Sequence, residues 1–116
     1  MAIRINFSGH PVSGFELAPL VGANLPLFEG QELTAAIREL LLALPKREEL
    51  LRGAAAEIVL PGMSPAVATL LAEWVGQFGC FPRIRWAVRG ASGSFEWPDS
   101  ATLNLSEVRE SARTAR

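Results

Sequence analysis

The chain predicts an α/β domain with a mainly parallel sheet flanked by helices, because stretches of period two alternate with stretches of helical period along its 116 residues. Two segments carry most of that expectation. Leu33, Ala36, Ile37, Leu40, Leu41 and Leu44 form one amphipathic helical stripe. Further on, the apolar run Ile58-Val59-Leu60 breaks at Pro61-Gly62-Met63-Ser64-Pro65. A second stripe then follows: Val67, Leu70, Leu71, Trp74, Val75 and Phe78. A strand feeding a crossover helix that leads to another strand is the unit from which parallel sheets are built.

Taken in order, residues 2–7 place Ile3, Ile5 and Phe7 on one face and read as a first strand ending at Ser8-Gly9-His10-Pro11. Phe15, Leu17, Leu20 and Val21 predict a short helix, which Pro19 confines to little more than a turn. Residues 25–28 predict a second strand, pushed to a sheet edge or a strand start by Pro26. Pro45 closes the stripe that ends at Leu44, and residues 46–53 add a helical turn or two with their charges toward solvent. Strand three spans 57–60. The helix after it is expected to begin at Pro65 with Ser64 as its cap and to stop at Gly79. On its other side Ala68, Ala72 and Gly76 either admit a second subunit or stay exposed.

Residues 83–89 alternate Arg83, Arg85 and Arg89 with Ile84, Trp86 and Val88 and read as a fourth strand. One face is apolar. The other is uncovered by a helix, so its arginines are expected to face water, a partner or a ligand. A turn at 90–94 leads to Phe95-Glu96-Trp97, residues 101–105 make a last extended segment, and Ser106 caps a terminal helix. Glu107 at its start and Arg109, Arg113 and Arg116 toward its end follow the order the helix dipole favours.

Bulk properties narrow the function. Eleven basic and twelve acidic residues give a net charge of -1, which excludes a general DNA or long RNA surface held by counterion release. Cys80 is the single cysteine and His10 the single histidine, so neither a disulfide nor a zinc cluster can form within the chain. Residues 1–5 lack a signal-peptide layout and no apolar run reaches the ~20 residues of a membrane span. The expected setting is cytoplasmic, with no membrane, metal or cofactor.

In an open α/β sheet, ligands lie beyond the carboxyl ends of the strands. Ser8, Gly9 and His10 after strand one, and Gly62, Met63 and Ser64 after strand three, are therefore the candidate ligand-binding residues; they converge if those strands are neighbours. Gly62 permits close backbone approach, and the following helix start favours an anion. The same residues serve equally well as a tight strand-to-helix turn. His10 is the one side chain on these loops suited to acid–base work near neutral pH, with Ser8 available to orient a phosphate or hydroxyl. Neither loop carries Lys or Arg, so strong charge stabilisation would fall to Arg83, Arg85, Arg89 or a partner. The spacing of Trp74, Trp86 and Trp97 is explained by core or interface packing.

Three blocks, Ile5-Asn6-Phe7-Ser8-Gly9-His10-Pro11, Leu60-Pro61-Gly62-Met63-Ser64-Pro65 with its helix and Gly79-Cys80-Phe81-Pro82, and Leu103-Asn104-Leu105-Ser106-Glu107-Val108-Arg109-Glu110, occur in this order. Together they resemble the small CRISPR-associated Csx accessory family numbered fifteen. That resemblance implies a single Rossmann-like (CARF-like) domain over 1–116. It also implies an accessory role in type III CRISPR defence, acting on cyclic oligoadenylate messengers with cyclic tetra-adenylate as the expected ligand. The expected activity is sequestration that restrains the messenger's effectors. The alternative is a metal-independent ring nuclease using His10 and Ser8, in which a ribose 2′-hydroxyl attacks its own phosphodiester. A third reading is a protein-interaction module using the strand-four basic face and the terminal helix, without nucleotide. The expected partners are cyclic tetra-adenylate and a second copy of the chain, since a twofold dimer matches a fourfold ring, with higher ligand-dependent assembly possible on the ring's two faces.

Overall fold

Ile5, Ile58 and Ile84 stand side by side across three neighbouring parallel strands and form the apolar row on which the helices pack. The computed structural model describes residues 2–18 and 29–116. Within them run β1 (Ile3–Asn6), β2 (Glu16–Leu17), α1 (Gly30–Leu42), α2 (Arg47–Leu51), β3 (Ala56–Val59) and α3 (Ser64–Phe78). There follow β4 (Arg83–Arg85), β5 (Val88–Arg89), β6 (Phe95–Glu96), β7 (Thr102–Asn104) and α4 (Leu105–Arg113). The main sheet has the order β2-β1-β3-β4-β7, its first four strands parallel and β7 antiparallel to β4. The architecture is thus an α/β, Rossmann-like arrangement with a mainly parallel sheet flanked by helices. Among the described residues no helix is long and apolar enough to cross a membrane.

The predicted stripe of α1 delivers Leu33, Ile37, Leu40 and Leu41 to the core, with Leu44 just beyond it. Their spacing keeps them on one face, so one helix side covers the sheet while the other meets water. α3 packs beside α1 and buries Ala66, Leu70 and Trp74, each four residues apart, while Leu71 and Phe78 are partly buried against the same core. Val67 and Val75 lie at the margins, and Ala68, Ala72 and Gly76 are exposed. Gly79 ends α3 in the left-handed region, φ 81°, where a side chain would be strained.

Several expectations are corrected. Glu16 and Leu17 are a strand rather than part of a helix: the weak helical pattern yields to the open edge of β1, which they pair at Ile5 and Asn6. Leu20 and Val21 of that predicted helix, with Pro19, and the strand expected at 25–28 lie outside the described residues. Ser64 is the first residue of α3, not its cap; Met63 holds the cap position in an extended conformation, and no side chain caps the turn. Similarly, Asn104 rather than Ser106 caps α4, its Oδ1 accepting from the N–H groups of Ser106 at 3.1 Å and Glu107 at 3.3 Å.

The expected fourth strand is two strands. β4 stops at Arg85, and Val88 and Arg89 pair instead with Phe95 and Glu96 in a separate hairpin. Trp86 and Val88 consequently stand exposed beyond the sheet instead of continuing its apolar face. The predicted basic face also divides: Arg83 and Arg89 are exposed, whereas Arg85 is buried.

Candidate functional site

β1 and β3 are neighbours, and the loops at their carboxyl ends meet at a cavity of about 650 Å³. Ser8, His10 and Pro11 line it from the β1 loop, and Leu60, Pro61 and Gly62 from the β3 loop. Trp86, Ala87, Phe95 and Trp97 complete the wall beyond β4. Of the six candidates, Ser8, His10 and Gly62 therefore face the cavity. Gly9, Met63 and Ser64 belong to the same loops but not to its lining.

The β1 loop is shaped by Asn6, a residue with no exposed surface at the end of its strand. Its Oδ1 accepts from the Ser8 N–H at 2.8 Å and from the Ser8 hydroxyl at 2.6 Å, while its Nδ2 donates to the carbonyl of His10. The His10 N–H in turn donates to Ser8 Oγ at 3.2 Å. Gly9 turns the chain between them at φ 85°, a conformation that a side chain would resist. The Ser8 hydroxyl is thus occupied in holding the loop, whereas the His10 side chain is exposed at the cavity.

Behind the opposite wall sits an ion-pair cluster built on the buried Arg85 and Glu57, with Arg4 and Asp99 reaching out to solvent. Arg85 Nη2 donates to Glu57 Oε2 at 3.0 Å, and Nη1 donates to Asp99 Oδ1 at 2.7 Å and to the Trp97 carbonyl at 3.1 Å. Arg4 Nε holds the other Glu57 oxygen at 3.2 Å, and both guanidiniums lie over the Phe15 ring, 5.3 and 5.5 Å from its centre. Burial pulls the Arg85 guanidinium toward its neutral form, but the hydrogen bonds it donates to Asp99 and Glu57, with the charges of those carboxylates, outweigh that and hold it above its usual range. The remaining arginines expected to supply charge are placed apart. Arg83 lines a second cavity of about 590 Å³ at the amino end of the strands, shared with Arg4, Cys80 and Phe81. Arg89 lies over the Phe95 ring at 4.9 Å and donates to the Gly93 carbonyl.

The sequence reading misses Asn6, the burial of Arg85, and the placing of Trp86, Phe95 and Trp97 on the cavity wall. The Asn6-Phe7-Ser8 spacing is a signal for a side chain bonding the backbone two residues on, and it marks Asn6 in retrospect. The turn at 90–94 is legible in the sequence and closes the hairpin as expected, but no local pattern shows that this hairpin leaves the main sheet and walls the cavity.

No protein-family model, curated protein or solved structure matches the chain. The class of site is therefore defined by its own geometry: a carboxyl-edge cavity with large aromatic walls and few polar groups. Such a surface suits planar, aromatic ligands, which bury area and stack on indole and phenyl rings. Among the described residues that line it there is no Lys or Arg.

Proposed function

We propose that the protein binds cyclic tetra-adenylate at this carboxyl-edge cavity and lowers its free level by sequestration, so restraining the effectors that the messenger activates. The observation that carries the reading is the meeting of the β1 and β3 loops at one cavity whose remaining walls are Trp86, Phe95 and Trp97. Both loops belong to the sequence blocks on which the family resemblance rests. Stacking contributes about 1–3 kcal/mol per base, against about 12 kcal/mol for nanomolar binding. A helix start offers only about 0.3–1 kcal/mol to an anion, so adenine burial supplies the larger share.

Holding is favoured over cleavage by two features of the site. The Ser8 hydroxyl is committed to Asn6 and His10, and no cation among the described lining residues stands ready for charge developing on a phosphate. Buffering requires abundance and affinity, not turnover.

The test is to incubate the protein with excess cyclic tetra-adenylate, denature it, and resolve ring from linear products by chromatography, with ultrafiltration measuring retention. Intact, retained ring is the expected result. Linear product beyond one equivalent would instead establish a ring nuclease, in which His10→Ala should slow cleavage far more than it weakens binding. Absence of retention would remove the nucleotide altogether and leave the interaction module. Gly62→Leu provides the site control. A Cβ at Gly62 meets nothing within 4 Å and the backbone there has no positive φ, so the fold tolerates it while the side chain obstructs the cavity. Binding should fall at least tenfold with the Tm unchanged.

A further inference from the structure

We infer that Arg85 is the positioning residue of the carboxyl-edge cavity, holding its Trp97 wall in place from inside the sheet; its effect on ligand affinity rests on the nucleotide-binding reading above. Three walls meet on this one residue. Its carbonyl accepts from the Leu60 N–H at 3.3 Å, its peptide bond leads directly into Trp86, and its Nη1 donates to the Trp97 carbonyl at 3.1 Å. Trp97 lies in the connection between β6 and β7, outside any strand, where Ala101 is bonded to Trp86 and Pro98 and the Trp97 carbonyl itself is tethered by Arg85. The tether is itself anchored: Nη2 is fixed to Glu57 in the neighbouring strand, and Glu57 is fixed to Arg4 one strand further on. The planar guanidinium therefore spans from β3 to the wall, a reach and geometry that lysine does not reproduce.

Stability alone accounts poorly for this arrangement. Arg85 Nε is buried without a partner, and the Asp99 side chain that takes Nη1 is 95% exposed. An orphaned buried N–H is costly, and an apolar residue commonly serves a sheet interior as well as a buried ion pair does. What the arginine adds is the bond to the Trp97 main chain.

The test uses protein labelled with 5-fluorotryptophan, its three ¹⁹F resonances assigned by Trp→Phe substitution. Arg85→Lys keeps the charge beside Glu57 and removes the fork. Asp99→Asn changes only an exposed carboxylate and leaves the fold intact should the first variant unfold. The Trp97 resonance should shift and broaden in both variants, more strongly in Arg85→Lys, while that of Trp74 in the core stays unchanged. Cyclic tetra-adenylate affinity should fall about tenfold in Arg85→Lys, as for loss of a charge-assisted hydrogen bond. A Trp97 resonance unchanged in both variants, or Trp74 moving as much as Trp97, overturns the positioning role. If the unsubstituted protein binds no ring, the nucleotide reading fails while the ¹⁹F spectra still decide the role of Arg85. If it binds and Arg85→Lys binds equally well, the link from Arg85 to the ligand is overturned.

Discussion

Asn6 illustrates how one side chain can settle the shape of a binding loop. It sits where a strand alternation would tolerate an apolar residue, yet its amide satisfies two groups of Ser8 and the carbonyl of His10 without surface exposure. Asn6→Asp retains the acceptor for Ser8 but loses the donor and sets a carboxylate against the His10 carbonyl. The expected cost is about 1–3 kcal/mol, read from urea unfolding, together with weaker ring binding. Stability equal to that of the unsubstituted protein would mean that other contacts hold the loop. At this scale the loop candidates were legible because glycine, serine and histidine clustered at a strand end. The burial of Arg85 was not, because a buried arginine is recognisable only once its carboxylate partners are placed, and Glu57 and Asp99 lie 28 and 14 residues away.

The elements were most legible where their pattern was long. α1 and α3 announce themselves through apolar spacing over three or more turns, and Pro45 and Gly79 mark where each stripe gives out. The extended segment at 83–89 was misread for a definite reason: period two persists whether the chain makes one strand or two short ones in different sheets. Where α1 meets α3, Arg38 grips Glu73 with Nε at 3.1 Å and Nη2 at 2.7 Å, a contact that no local pattern predicts. The Arg38 hydrogen bond depresses the Glu73 carboxyl below its ordinary value of 4.5, outweighing the opposing effect of its burial, with Gln77 assisting. Because the folded value lies below the unfolded one, the stabilisation is complete above the ordinary carboxylate range and disappears as pH falls through the folded value. Arg38 is more than half exposed, so screening keeps the effect modest. Thermal melts of the protein and of Glu73→Gln should differ at about pH 6 and converge once the pH has fallen below the folded value; a gap that persists in acid would assign the difference to packing instead.

At the scale of the molecule, the parallel order β2-β1-β3-β4 puts the Ser8 and Gly62 loops side by side, whereas the sequence showed only that each follows a strand. A cavity of about 650 Å³ falls within the range of sites for single drug-sized ligands, and a four-nucleotide ring exceeds that range. On the proposed reading, each protomer therefore accommodates only part of the ring, and the phosphates left outside the aromatic walls need cations that the described lining residues do not provide. On the same reading, a second copy related by a twofold axis would present a second cavity to the opposite half of the ring, each protomer keeping Arg89 over its own Phe95 wall. Light scattering during a titration of the protein with cyclic tetra-adenylate should thus show mass rising to two protomers per ring, and rising further if both faces of the ring are engaged. Saturation at one ring on one protomer, with no change in mass, would confine the ligand to a single cavity and remove the basis for a shared site.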